Sequence, residues 1–131
     1  MHPDDPERDN LGLATVPSAT DMRLWTLDAR VRDSRVLTDA RLLRSILYDA
    51  AERGGATVVG EEFCTFQNGA VTGVLVLAQS HLSIHTWPEC ALANVDLLSC
   101  GPLDGTTVLR TIGERLGAER VNTACLLRAP W

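Results

Sequence analysis

The sequence predicts a single α/β domain, a two-layer sandwich in which two helices cover one face of a mostly antiparallel sheet. The chain has 131 residues, 45% of them apolar and 22% charged, which suits one domain with a sizeable core. Its hydrophobic pattern indicates one strand, a helix, several strands, a second helix and a last strand, an order that two packed layers accommodate. Because a sheet covered on one face must bury the other, we expect a homodimer packed sheet to sheet, or helices over the exposed face.

The N-terminal segment, the hydropathy and the net charge indicate the compartment of the protein and one class of partner that it does not bind. Residues 1–20 contain three prolines and no hydrophobic period, which predicts a flexible tail ahead of a domain over residues 21–131. No apolar run approaches the roughly 20 residues that cross a bilayer, and the acidic N-terminus is unlike a secretory signal. We therefore expect a cytoplasmic protein with four free thiols. The net charge of −5 argues against nucleic-acid binding.

Strand and helix signals then alternate along the chain. Arg23–Ala29 alternates in polarity, which predicts a first strand. Thr38 can cap a helix with one apolar stripe, and Gly54-Gly55 can end it. The stripe consists of Leu42, Leu43, Ile46, Leu47 and Ala50.

A second helix is predicted over Thr106–Leu116, because its apolar residues recur at helical spacing. Asn68-Gly69 predicts a turn, since both residues accept positive φ. Short runs of β-branched and aromatic residues predict the remaining strands. These runs cover residues 57–59, 62–66, 71–78, 82–86, 95–99 and 121–127.

The segment Gln79–Glu89 carries most of the chemistry. Residues 80–89 include two serines, two histidines, one tryptophan and one carboxylate, directly after an apolar strand. Such a polar strand conflicts with core packing and therefore points to function. One simple alternative is that His81 and His85, four residues apart, only share the surface of a strand.

Two further interpretations involve chemistry. The histidines could bind a metal with Cys90 or Cys100, although no zinc-ligand spacing is present, so we expect no metal.

Alternatively, Ser80 or Ser83 could be a nucleophile with His85 as its base, oriented by Glu89 or Asp96. The Gly-x-Ser-x-Gly turn of ordinary hydrolases is missing, which argues against that class.

The whole segment Gln79–Glu89, followed by Asp96 and Cys100-Gly101, resembles the signature of prokaryotic S-adenosylmethionine decarboxylases. The resemblance extends from about residue 22 to the C-terminus. It implies a carboxy-lyase made as a proenzyme, which cuts itself between Gln79 and Ser80 and converts Ser80 into a pyruvoyl cofactor. A pyruvoyl group forms a Schiff base with the substrate amine and accepts the electrons of decarboxylation. This fits a chain without lysine, which cannot anchor pyridoxal phosphate.

The resemblance also implies roles for individual residues. His85 would be the acid/base of the self-cleavage, and Cys100 would donate a proton to the decarboxylated carbon. Phe66, from the neighbouring subunit of a homodimer, and Trp87 would enclose the adenine ring of S-adenosylmethionine. Glu89 would bind both ribose hydroxyls. The product would be the aminopropyl donor for polyamine synthesis, including spermidine.

The chain departs from the family pattern at a few positions. Gln79 replaces a glutamate, Thr72 replaces a serine, and Cys90–Asn94 replaces a stretch with a glycine and an aromatic residue. Asp21–Trp25 lacks the usual glycine, basic residue and histidine. Two other functions therefore stay open: a decarboxylase of ornithine or arginine, and an unprocessed nucleoside-binding protein without enzyme activity.

Overall fold

The computed structural model describes residues 22–129, so the predicted tail over residues 1–20 lies outside the described part. Its six strands are β1 (Arg23–Val31), β2 (Val58–Thr65), β3 (Val71–Leu77), β4 (Ser80–Trp87), β5 (Leu92–Ser99) and β6 (Ala118–Leu127). They form one sheet in the order β2-β3-β4-β5-β1-β6, and every neighbouring pair is antiparallel. The helices are α1 (Ala40–Arg53) and α2 (Gly105–Arg115). This architecture confirms the predicted α/β sandwich.

The N-terminal cap of the first helix lies one residue later than predicted from the sequence. Asp39 caps α1, because its carboxylate accepts a hydrogen bond from the Leu42 amide at 3.0 Å. Thr38 instead ends a short 3₁₀ turn, and its hydroxyl donates to the Arg35 carbonyl. The helix ends as predicted, with Gly55 in the left-handed region.

Most strands differ in extent from their predicted bounds: β5 begins at Leu92 rather than Val95, and β6 begins at Ala118 rather than Val121. The runs 57–59 and 62–66 join into the single strand β2, whose pairing with β3 is irregular between Val58 and Gly60. β4 begins at Ser80 rather than Leu82. Ser80 pairs with Leu77 across a two-residue turn, so the ladder starts before the apolar alternation does.

The core lies between the two helices and one face of the sheet. Alternate strand residues and the apolar stripes of both helices meet there and are almost fully buried. The main contributors are Leu27, Leu75, Leu82, Ile84, Leu97, Leu43, Ile46, Leu47, Val108 and Ile112. The opposite face, here called the open face, carries mostly polar, partly exposed side chains, including His85, Asn94 and Asp28.

Thr86 joins two strands to the segment before α1. Its buried hydroxyl donates to the Leu37 carbonyl at 2.7 Å and accepts from the Val71 amide at 2.9 Å. Thr86→Val keeps the shape but leaves both backbone groups unpaired in the core. We expect the free energy of unfolding to fall by roughly 2–4 kcal/mol, measured by urea denaturation.

The exposed Thr65→Val variant is the matched control, and its stability should stay within about 0.5 kcal/mol of the wild type. An equally small change in Thr86→Val would show that these two hydrogen bonds do not stabilise the fold.

Candidate active site

The turn between β3 and β4 contains the bond at which cleavage is predicted. Ala78 and Gln79 form this exposed turn, which joins Leu77 to Ser80. Gln79 has a φ of 62°, in the left-handed region that glycine adopts freely and other residues rarely do. An L-residue there is strained by on the order of 1 kcal/mol. The peptide bond before Ser80 therefore lies at an accessible and strained corner.

Cys100 approaches this turn from the neighbouring strand. It follows β5 directly, and its thiol donates to the Gln79 carbonyl oxygen at an Sγ–O distance of 3.6 Å. Ser80 and Cys100 line one cavity of about 130 Å³, and the other wall residues are mostly small or apolar. The structure thus brings together Gln79, Ser80 and Cys100, here called the processing corner.

A second group of predicted residues lies at the other end of β4, on the open face. His85 Nδ1 is 2.7 Å from the hydroxyl oxygen of Thr72, its direct partner across the β3–β4 ladder. The imidazole meets the Trp87 indole edge-on, with 4.4 Å between ring centroids, and the Phe66 ring centroid is 6.1 Å away. Phe66, Thr72, His85 and Trp87 are here called the histidine cluster.

The aromatic rings of the histidine cluster are available for stacking. Phe66 is 50% exposed and Trp87 is 42% exposed, so each keeps uncovered ring surface beside His85. Glu89 lies in the short 3₁₀ turn that follows β4, and its carboxylate is exposed. The three residues predicted to bind the nucleoside part of the substrate, Phe66, Trp87 and Glu89, therefore lie near the C-terminal end of β4.

Two polar residues of this site were missed by the sequence analysis. The Trp87 indole N–H donates to Asn94 Oδ1 at 2.7 Å, and the Asn94 amide donates to Asp28 Oδ1 at 2.8 Å. Asn94 and Asp28 are each a polar residue between two apolar residues of a strand. That interruption of the apolar pattern is the sequence signal by which they could have been found. Nothing in the local sequence indicates that they meet.

The processing corner and the histidine cluster are far apart within one chain. Ser80 and His85 are five residues apart on an extended strand, which separates their Cα atoms by about 17 Å. An odd spacing also turns the two side chains to opposite faces. Ser80 lines a cavity with Ala56 and Leu103, whereas His85 lies on the open face. One chain therefore does not bring Ser80 to the base predicted for its cleavage.

A larger cavity of the described chain lies away from both groups. It has a volume of about 490 Å³, with mainly apolar walls from α2, β1 and β6, and no residue of the predicted site lines it. Within residues 22–129, no three His, Cys, Asp or Glu side chains could jointly hold a metal ion. Across the same residues, no helix has the length and apolarity needed to span a membrane.

Comparison with known proteins gives consistent matches. The family model described as S-adenosylmethionine decarboxylase matches residues 23–129. The S-adenosylmethionine decarboxylase proenzyme of Symbiobacterium thermophilum is 51% identical over 76 residues, covering 58% of each chain. That of Pseudomonas paraeruginosa is 41% identical over 83 residues, covering 63% of this chain and 52% of the relative. The chain thus spans little more than half the length of these two relatives.

A solved structure supports the same relationship. The crystal structure of the adenosylmethionine decarboxylase from Aquifex aeolicus VF5 superimposes with a TM-score of 0.77 at 29% sequence identity. The match covers 85% of this chain and 92% of that chain. The residues matched by the family model, 23–129, include both groups of site residues.

Proposed function

Because this chain belongs to the S-adenosylmethionine decarboxylase family, we propose that it is a self-processing, pyruvoyl-dependent carboxy-lyase that acts on S-adenosylmethionine. The observation that carries the proposal is the processing corner. There the bond to be cut, the serine that would cut it and the thiol of Cys100 lie together at an exposed, strained turn. The product would be decarboxylated S-adenosylmethionine, the aminopropyl donor for polyamine synthesis.

The self-cleavage would use only atoms of the chain and one water molecule. The Ser80 hydroxyl attacks the Gln79 carbonyl carbon, and the peptide nitrogen leaves as the amine of residue 80, so an ester replaces the amide. Removal of the Cα proton of residue 80 breaks the ester at its Cβ–O bond and leaves Gln79 with a carboxylate. The remaining enamine takes up water and releases ammonia, which leaves a pyruvoyl group at the new N-terminus.

The processing corner fits a pyruvoyl group at position 80. The small wall residues leave a cavity of about 130 Å³ beside the Ser80 side chain, enough for a compact acyl group. When present, this group supplies the electron sink that decarboxylation of an α-amino acid requires. Cys100 lines the same cavity, which supports the role of its thiol as the proton donor to the substrate carbon that loses CO₂.

The distance between Ser80 and His85 supports a homodimer. Removal of the Cα proton needs a base, and the base implied by the family is about 17 Å away in the same chain. We infer a homodimer in which the histidine cluster of one copy meets the processing corner, at the start of β4, of the other. A two-fold axis would create two such sites at once. Phe66, expected from the neighbouring subunit, would then arrive together with Trp87 and His85.

The histidine cluster would also bind the substrate. The exposed faces of Phe66 and Trp87 would stack on adenine, and aromatic π-faces attract the positively charged sulfonium. Glu89 would accept hydrogen bonds from two ribose hydroxyls, one on each carboxylate oxygen. Recognition would thus come from one copy and the reactive carbonyl from the other.

The test is the intact mass of the denatured protein, followed by assays of CO₂ release. We expect two fragments, residues 1–79 and residues 80–131 with a pyruvoyl group at the start, and CO₂ from S-adenosylmethionine. Release of CO₂ from ornithine or arginine instead would show that the substrate is a basic amino acid and not S-adenosylmethionine. A single full-length mass together with nucleoside binding would indicate a binding protein and contradict the proposal.

Cys100→Ala should separate cleavage from turnover. A thiol is a weak hydrogen-bond donor, so loss of its contact with the Gln79 carbonyl should still permit complete cleavage. Loss of the proton donor should lower the decarboxylation rate by about 100-fold or more. Mass spectrometry and CO₂ release measure the two effects separately.

Cys125→Ala is the matched control, because it removes an exposed thiol on β6, outside the proposed site. It should cleave and decarboxylate like the wild type. Full activity in Cys100→Ala would exclude the thiol from the reaction.

A further inference from the structure

Trp87 is held by Asn94 directly and by Asp28 through Asn94. Its indole N–H donates to Asn94 on β5, and Asn94 in turn donates to Asp28 on β1. Asn94 and Asp28 are direct partners across the β1–β5 ladder. These two residues are here called the indole anchor.

The chemistry of the three groups fixes the direction of both hydrogen bonds. An indole N–H can only donate, so Asn94 must present its carbonyl oxygen to Trp87. The NH₂ group of Asn94 then faces Asp28, whose carboxylate oxygen accepts the hydrogen bond. Asp28 therefore selects the orientation of the Asn94 amide, and Asn94 selects the orientation of the indole.

The anchored indole also borders His85. Asn94 is the direct partner of His85 across the β4–β5 ladder, and the indole edge meets the imidazole with 4.4 Å between centroids. Thr72 contacts His85 from β3. The indole anchor thus holds one ring of the histidine cluster in place while leaving part of its surface exposed for a ligand.

We propose that Asn94 and Asp28 are positioning residues that fix the Trp87 ring for stacking on the adenine of the substrate. This inference rests on the proposed function, because it takes Trp87 as the adenine-stacking ring. Neither residue needs to touch the substrate. A ring that is already ordered loses less freedom on binding, so the anchor should act on substrate affinity rather than on the chemical step.

The first test is Asn94→Ala. We expect its KM for S-adenosylmethionine to rise about 3–10-fold, the effect of one typical hydrogen bond, with kcat and self-cleavage unchanged. The indole N–H of Trp87, assigned in a ¹⁵N NMR spectrum with a Trp87→Phe variant, should exchange faster with water. A purely structural role would not confine the effect to KM and to this one signal.

Exchanging the two partners gives a rescue test. Asn94→Asp places two carboxylates opposite each other, so KM should rise at least as much as in Asn94→Ala. In the double variant Asn94→Asp/Asp28→Asn, the carboxylate at position 94 still accepts from the indole and the amide at position 28 now donates. Its KM should return to within about twofold of the wild type.

Asn122→Ala is the matched control, since Asn122 lies opposite Asp28 on its β6 side and is exposed. Its KM should not change. The inference is overturned if the wild type is active and Asn94→Ala has a KM within about twofold of it, or if the double variant is no better than Asn94→Asp. A wild type that neither cleaves nor releases CO₂ would overturn the proposed function instead.

Discussion

Replacing Ser80 with alanine should leave the chain uncut and abolish CO₂ release from S-adenosylmethionine. Ser80 supplies both the attacking oxygen and the carbon atoms of the pyruvoyl group, so no neighbouring residue can replace it. The Gln79 turn and the Cys100 contact involve backbone and thiol atoms that this variant keeps. Intact mass under denaturing conditions should show one full-length species, and decarboxylation should fall below detection.

Ser83→Ala controls for the loss of a hydroxyl from the same strand. Ser83 lies on the open face opposite Asp96, and neither the processing corner nor the histidine cluster includes it. This variant should cut completely. A cut product from Ser80→Ala, or CO₂ release by that variant, would disprove the proposed cofactor and its origin.

Chains with Ser80→Ala and chains with His85→Ala should each remain uncut when produced alone, yet cleavage should appear when they are produced together. In a mixed dimer, intact Ser80 of the His85→Ala chain would meet intact His85 of its partner. Only the His85→Ala chain should be cut, in about half of its copies if the chains pair at random. Different affinity tags would isolate mixed dimers, and fragment masses would identify the cut chain.

A second pairing supplies the control. Ser80 and Cys100 belong to the same processing corner, so mixing Ser80→Ala with Cys100→Ala leaves no site that contains both intact groups. Decarboxylation in that mixture should therefore not exceed the low rate of Cys100→Ala alone, whereas it should return with Ser80→Ala and His85→Ala. Mixed dimers of the latter pair that remain uncut would contradict a site shared between two copies.

The fold could be predicted from the sequence because its elements have strong local signals. The apolar stripe of α1, its terminal Gly54-Gly55 and the alternation of β1 each require only neighbouring residues. The cap of α1 and the start of β4 were predicted wrongly, because the local sequence does not decide between neighbouring positions. Thr38 and Asp39 both make suitable caps, and the 3₁₀ turn that decides between them depends on packing. Ser80 begins β4 at a left-handed Gln79, a conformation that glutamine does not signal.

The site was harder to predict than the fold. The motif predicts catalytic roles for Ser80, His85 and Cys100. It does not show that Ser80 and His85 lie towards opposite ends of one strand. Asn94 and Asp28 are 66 positions apart in the sequence. Their contact arises from the β1–β5 register, which the hydrophobic pattern of either strand alone does not determine.

The sheet order has a consequence for the lifetime of the cut protein. After the proposed cleavage, one fragment holds β1, β2 and β3, and the other holds β4, β5 and β6. Because β1 lies between β5 and β6, the fragments interlace and cannot separate without unfolding the sheet. Once unfolded, they would have to find each other again in a concentration-dependent reaction. The working enzyme would therefore be reached only through the intact precursor, and its rate of unfolding would set how long it lasts.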